Sequence, residues 1–375
     1  ARMKRILTYI ILIFCGLLAA ESSYAQYYSW GADPTSFKWR QMRGEKYRVV
    51  YPDTARNTAE RMMYYLDAVS EDISYGYIHP QMSIPFVVHP ENMLSNGLVM
   101  WLPKRVEFLS TPLINGYSMP WVKQLVAHEY RHAVQYNNLN HGWVKAFSYI
   151  LGQQSSTIGL LFMPLWMMEG DAVMTETEMS TFGRGLQPSF TMAYRAYGSV
   201  ADEYKHFDKW FCGSYKDYIP DHYALGYMAY GGIRYLYDYP MIMSDIYRRV
   251  STKIFTFYPT STVGKKKTGK RFKEMFAEVC DTMQGIWSRD TKARAPFIPM
   301  EEVTKEPRLY TNYSNSVANG HDIYTIKRGY LHTPQLIRTD ADGNEFFITH
   351  LPYEHSNLRI HDGKLYWSEE KPDER

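Results

Sequence analysis

The stretch VAHEYRHAVQ, residues 126–135, places His128 and His132 four apart with Glu129 directly after the first. On a helix, positions i and i+4 share one face, so both imidazoles can reach one ion. A neutral imidazole binds zinc at about 2.0–2.1 Å. A carboxylate one position on can take a proton from water in the open coordination place as that water attacks a carbonyl. The chemistry is metal-assisted hydrolysis, with Glu129 as general base. In a chain of 375 residues with 12 histidines such a pattern arises by chance with odds of about one in fifty, so a third ligand must be found.

Proteases with the extended form of this motif continue with Gly and His, where this chain has Gln135 and Asn138, which excludes that class. LWMMEGDAV instead puts Glu169 thirty-seven residues after His132, followed by Gly170 on a second expected helix. A glutamate there completes a two-histidine, one-glutamate site for a single Zn2+. Trp166, Met167, Met168 and Val173 around it are apolar, which argues against a merely solvated carboxylate. His141 follows NNLN beyond the expected helix end and reads as a packing or surface histidine rather than a ligand.

HEYRH with downstream WMMEGDA resembles the gluzincin metallopeptidases, the thermolysin and aminopeptidase-type group, over residues of about 40–290. Together with PKRVEFLSTP upstream and a β-rich segment downstream, the chain resembles exported bacterial gluzincin-like proteins fused to a TolB-like propeller. The resemblance implies an α+β zincin catalytic domain and a peptide or protein substrate. It implies an edge strand before the active helix, placed at Lys104–Ser110, and an oxyanion-stabilising tyrosine on a later helix. Tyr223, opening Tyr-x-x-Gly at Tyr223–Gly226, fits that role, with Tyr227 and Tyr230 as rivals. The thermolysin-like group carries an aspartate where this chain has Val173, which leaves Asp171 and Glu176 as possible partners of the ligands. The aminopeptidase signature has no counterpart beyond a superficial likeness in ENMLSNG, so exopeptidase activity has no support and an endopeptidase or oligopeptidase is expected.

These residues need elements to hold them. KYRVVYP and SIPFVVHP read as strands, with a helix between them from Asn57 to Ser74 carrying Met62, Leu66, Val69 and Ile73 on one face. Pro103 interrupts the extended stretch GLVMWLPKRVEFLSTP and marks part of it as an edge. Helices are expected over Pro120–Tyr136, Trp143–Gly152, Leu165–Met179, 221–238 and Arg271–Trp287, with 27–46 and 181–220 irregular. From residue 308 the pattern alternates in period two, with DADGN and HDGK as hairpin turns. The expected organisation is a signal segment 1–25, a catalytic domain 26–295, a linker 296–307 and a partial propeller-like module 308–375. That last part amounts to about one and a half blades of roughly 40–45 residues each.

The hydrophobic share of 45% and the charged share of 22% are those of a globular chain. The net charge of +3 falls to +1 once Arg2, Lys4, Arg5 and Glu21 are set aside, too little for a nucleic-acid footprint. KKKTGKR, Lys265–Arg271, is the dense basic run and reads as a solvated loop before a helix. Lys4 and Arg5 before the apolar run Ile6–Ala20, then SYAQ, read as a secretory signal, with Ala1-Arg2 lying upstream of the true start. Export to the periplasm, the outer membrane or the medium follows, with no transmembrane span once the signal is removed. Cys212 and Cys280 are then available for one disulfide. A different class of function also fits: an envelope binding or assembly protein whose propeller engages a protein partner, the zincin fold being inactive or structural. The intact Glu129 favours the enzyme, because a retired site has no need of the base.

Overall fold

Five short strands precede the site: β1 (Trp39–Arg43), β2 (Tyr47–Pro52), β3 (Ile84–His89), β4 (Asn96–Trp101) and β5 (Lys104–Leu109). The computed structural model describes residues 33–371 apart from 93, 102, 114, 115, 117, 118, 201–206, 215–217, 306, 354 and 370, with backbone alone at 198–200, 207 and 208. The expected signal segment lies outside the described residues. Residues 33–38 belong to a separate N-terminal unit and form a turn closed by Phe37 N–H to Pro34 O at 3.0 Å.

The strands form one sheet in the order β1-β2-β3-β5-β4. β2, β3 and β5 run parallel, and β1 and β4 pair antiparallel at the two edges. Helix α1 (Arg56–Val69) makes the crossover from β2 to β3 and buries Ala59, Met62, Leu66 and Val69, the i, i+3, i+4 spacing of one helical face. Alternate residues of the central strands, Ile84, Phe86, Val88, Val106 and Phe108, are buried under helix α2 (Trp121–Leu139). The Tyr130 ring of α2 stands edge-on to Phe86 with centroids 5.3 Å apart. The edge beside the cleft is therefore β4, and β5, the expected edge strand at Lys104–Ser110, lies inside the sheet between β3 and β4. Pro103 falls in the turn joining β4 to β5, where its missing N–H costs no ladder bond.

The remaining helices are α3 (Gly142–Leu151), α4 (Ser155–Leu160), α5 (Leu165–Glu178), α6 (Pro188–Val200), α7 (Phe207–Cys212), α8 (His222–Tyr237), α9 (Ile242–Thr252), α10 (Pro259–Thr268) and α11 (Phe272–Arg294). Three expectations are corrected here. The span 181–220 holds α6 and α7, because aromatic residues at helical spacing (Phe190, Tyr194, Tyr197) carry the amphipathic face. Tyr194 stacks on Trp210 at 4.9 Å. Strand β1 lies within 27–46; it is almost wholly exposed, so no alternation marks it. Lys265–Lys267 occupy the last turn of α10 rather than a loop, where cations suit the helix dipole, and Gly269 at φ +79° ends that helix. Cys212 is exposed, Cys280 is buried, and both are free thiols, so the available disulfide is not formed.

The β-rich part has its own small core of Ile326, Leu336, Leu351 and Leu358. Strands β6 (Thr311–Asn319), β7 (Asp322–Gly329), β8 (His332–Thr339) and β9 (Glu345–His350) form an antiparallel meander, and β10 (Arg359–His361) and β11 (Lys364–Tyr366) a separate hairpin. Asp362 and Gly363, both at positive φ, turn that hairpin as the Asp-Gly pair dictates. The architecture is mixed α+β with small sheets, and the described residues close no barrel or propeller.

The tightest crossing is between α5 and α8. A Cβ on Gly226 would lie 1.8 Å from Trp166 O, and one on Gly170 would lie 2.1 Å from the Gly226 carbonyl carbon. Backbone meets backbone there, so no side chain can yield. Gly226→Ala should therefore cost at least about 1–3 kcal/mol by overpacking. Gly285→Ala, in a roomy stretch of α11, should stabilise by roughly 0.5–1 kcal/mol. Urea unfolding of the two variants checks the contrast.

Candidate metal centre

Helix α2 presents Val126, Tyr130, Ala133 and Val134 to the core, and His128, Glu129 and His132 to the cleft where α5 crosses it. Glu169 sits one turn into α5 and meets both imidazoles. The Nε2 atoms of His128 and His132 are 3.2 Å apart, and Glu169 Oε2 lies 3.1 Å from the first and 3.3 Å from the second. A tetrahedral ion with bonds of about 2.0–2.1 Å separates its ligands by about 3.3–3.4 Å. The three donor atoms thus stand where one ion would require them.

The far ring nitrogens are engaged. Gln135 donates its amide N–H groups to Met168 O at 2.9 Å and Asp171 Oδ2 at 2.8 Å, which leaves its Oε1 to accept from His132 Nδ1 at 2.8 Å. His128 Nδ1 lies 3.1 Å from Glu176 Oε2. Arg184 Nη2 is also 2.9 Å from that nitrogen, and Arg184 donates to the same Glu176 carboxylate through both Nε and Nη2. With Nδ1 of each ring facing an acceptor, Gln135 Oε1 or Glu176 Oε2, both Nε2 atoms are left to face Glu169, the side on which a metal would be bound.

Asp171 anchors the second half of this network. It accepts from Arg131 through Nε at 2.9 Å and Nη2 at 2.8 Å, from Tyr77 Oη at 2.9 Å and from Gln135. Arg131 spends Nη1 on the carbonyls of Ile73 and Tyr75. Sequence reasoning held Asp171 and Glu176 as possible partners; Glu176 touches His128 directly, and Asp171 reaches His132 through Gln135. Glu176 lies seven residues after Glu169, two helical turns on, and so faces the same side.

The electrostatics favour positive charge at the centre. Burial opposes charge on Glu169, yet the adjoining imidazoles outweigh it and hold its carboxyl far below the usual range. Burial likewise opposes charge on His132, but Glu169 raises its pKa to about 9. Glu129 differs: burial pushes its carboxyl up, with the histidines pulling only partly against it.

A cleft of about 460 Å³ opens over these groups, lined among others by Asn96–Val99 of β4, Glu129, Leu165, Arg184 and Tyr223. Gly97 makes room for the base, since a Cβ there would lie 2.6 Å from Glu129 Cγ and Oε1. Tyr223, in the first turn of α8, puts its ring 6.2 Å from that of His128; burial and the Glu169 charge raise its pKa. Tyr227 instead packs on Phe190, and Tyr230 is buried beside Asp171, so neither rival lines the cleft. His141 stands apart, stacked on His79 at 3.5 Å.

Gln135 and Arg184 were not found from the sequence. Arg184 had one local signal, its flanking glycines. A Cβ on Gly183 would strike Thr177 Cα at 2.4 Å, and one on Gly185 the Tyr227 ring at 2.3 Å, so only Gly-Arg-Gly can press this turn between α5 and α8.

Comparison with protein-family models and with curated proteins found no match, and the geometry has to carry the reading. Two substitutions separate its parts. Asp171→Ala leaves Arg131 charged and buried alone, and is expected to cost about 3–5 kcal/mol in urea unfolding. Glu176→Gln should keep the fold yet weaken zinc binding by about 10–100-fold in a chelator competition.

Proposed function

We propose that this chain is an exported zinc metallopeptidase of gluzincin type, with His128, His132 and Glu169 holding one Zn2+ and Glu129 as general base. The observation that carries the reading is the 3.1–3.3 Å triangle of donor atoms with Glu129 at the same cleft. Other features support it: the motif helix crossed by the helix bearing Glu169, and an antiparallel edge strand beside both. These agree with a thermolysin-like arrangement.

When bound, zinc supplies a Lewis acid that polarises a carbonyl and lowers the pKa of a water. The chain's own groups do the rest. β4 has one side unpaired in the sheet, and an extended peptide can add to it as a further strand. Glu129 takes the proton from the attacking water and passes it to the leaving amine. Its raised pKa suits a group that must both accept and return a proton. Tyr223, protonated across the physiological range, donates a hydrogen bond to the carbonyl oxygen as charge develops there. Burial keeps bulk water away and strengthens each of these interactions.

We read the four-stranded β-meander β6–β9 as one propeller blade and the hairpin β10–β11 as the start of another. In this reading the module recruits substrate or an envelope protein. The rival, a binding or assembly protein with a silent zincin fold, rests on that same module and leaves Glu129 without a task.

Cleavage of an unbiased peptide library by the zinc-loaded chain tests the proposal. Glu129→Gln should lower the rate by at least about 10²–10⁴-fold while zinc stays bound. Equal cleavage by both forms, or none by either, contradicts it. Gly97→Val should displace the Glu129 carboxylate and lower kcat by about tenfold or more with zinc affinity unchanged. A drop in zinc affinity instead would show that Gly97 serves the ligands rather than the base.

A further inference from the structure

On another face, apolar side chains stand in water beside a basic surface. In the loop after α9, Phe255, Phe257 and Tyr258 are 69%, 72% and 76% exposed. Phe255 is also held at φ +62°, a left-handed backbone that a bulky residue adopts only under constraint. Arg249 Nε donates to Thr256 Oγ1 at 3.1 Å and pins the loop from the preceding helix. Next to it lies the α3–α4 hairpin, whose Ile150 and Leu161 are 80% and 77% exposed. The two segments meet where Phe162 packs edge-on to Phe257, centroids 6.1 Å apart, and α3 is tied to α9 where Trp143 Nε1 donates to Val250 O at 2.7 Å.

Cations border this protrusion. One recess is lined by Tyr258, Ser261, Thr262, Lys265, Lys266, Arg271 and Lys273, with no carboxylate among the described residues of its wall. A second, lined by Arg248, Arg249, Lys253, Lys266 and Lys267, contains one acid, Asp245, which is bonded to Arg248, Lys267 and Tyr239. Hydroxyls and ammonium groups in an open recess suit phosphate oxygens. Aromatic and aliphatic tips with lysines around them are the composition of a surface lying at a lipid headgroup boundary. No helix among the described residues is long and apolar enough to cross a membrane, so contact here is peripheral.

We propose that the face formed by the 253–258 loop, the α3–α4 hairpin and the lysines of α10 docks on an anionic phospholipid bilayer. Phe255, Phe257 and Ile150 enter the headgroup–acyl boundary, and Lys265 and Lys266 meet lipid phosphates. The occupant is an anionic lipid surface because exposed apolar side chains stand beside open recesses lined by ammonium, guanidinium and hydroxyl groups, whose charge complements lipid phosphates. Docking requires no metal and is independent of the hydrolase reading.

The test is co-sedimentation of the full chain with vesicles of phosphatidylcholine, alone or with about one-third phosphatidylglycerol. The chain should bind the anionic vesicles and bind the neutral ones at least about tenfold more weakly. Phe255→Ser with Phe257→Ser, and separately Lys265→Glu with Lys266→Glu, should each reduce anionic binding by about tenfold or more. Residues 1–25 are common to all forms, so binding unchanged in both pairs would assign it to that segment and overturn the proposal. Equal binding to neutral vesicles, or no binding, would also overturn it. So would self-association without vesicle binding that the phenylalanine pair abolishes, since the face would then serve a second copy. All substituted groups are exposed, and circular dichroism checks the folds. Should one pair unfold, the other, with Tyr258→Ser, still reads the surface.

Discussion

One buried carboxylate holds the candidate site together. Asp171 accepts from Arg131, Gln135 and Tyr77, so it ties α2 to α5 and to the turn that follows α1. Arg131 in turn closes the carbonyls of Ile73 and Tyr75. A buried ion pair of this kind adds little net stability over an apolar replacement, but losing one partner strands the other charge. Its value lies in geometry. With Asp171 in place, Gln135 has a single orientation, its Oε1 accepts from His132 Nδ1, and that ring is held from behind.

Glycine supplies the second constraint, and its placement is economical. Gly170 and Gly226 let α5 and α8 touch, which brings Glu169 and Tyr223 to one cleft. Gly97 lets the edge strand pass directly over Glu129. Gly183 and Gly185 seat Arg184 against Glu176. At Gly97 the missing Cβ stands where Glu129 is; at the other four it stands where neighbouring backbone or the Tyr227 ring is. The glycines thus place the functional side chains as surely as the hydrophobic core places the helices.

The grouping of His128, Glu129, His132 and Glu169 was legible in the sequence because the chemistry sought there demands few residue types at helical spacing. His128, Glu129, His132 and Glu169 all stand at one cleft. The periodic helices and central strands were legible for the same reason: their burial repeats at 3.6 or 2 residues. What escaped had no period to show. β1 is exposed on nearly every residue. α6 is built on aromatics. The edge strand was misplaced because β4 and β5 are both extended, and only the pairing decides which of them is outside. Gln135 was read for the class it excluded, while its amide, aimed by Asp171, serves His132. Such a role depends on a partner thirty-six residues away, and sequence spacing alone does not reveal it.

The central claim is that the triangle of Nε2, Nε2 and Oε2 atoms holds one zinc ion. Anomalous diffraction at the zinc edge, from crystals of the chain grown with one equivalent of the metal, tests it most directly. The account predicts a single peak about 2.0–2.1 Å from His128 Nε2, His132 Nε2 and a Glu169 oxygen, with a fourth position open toward Glu129. A peak at other residues, or none at the triad, would contradict it.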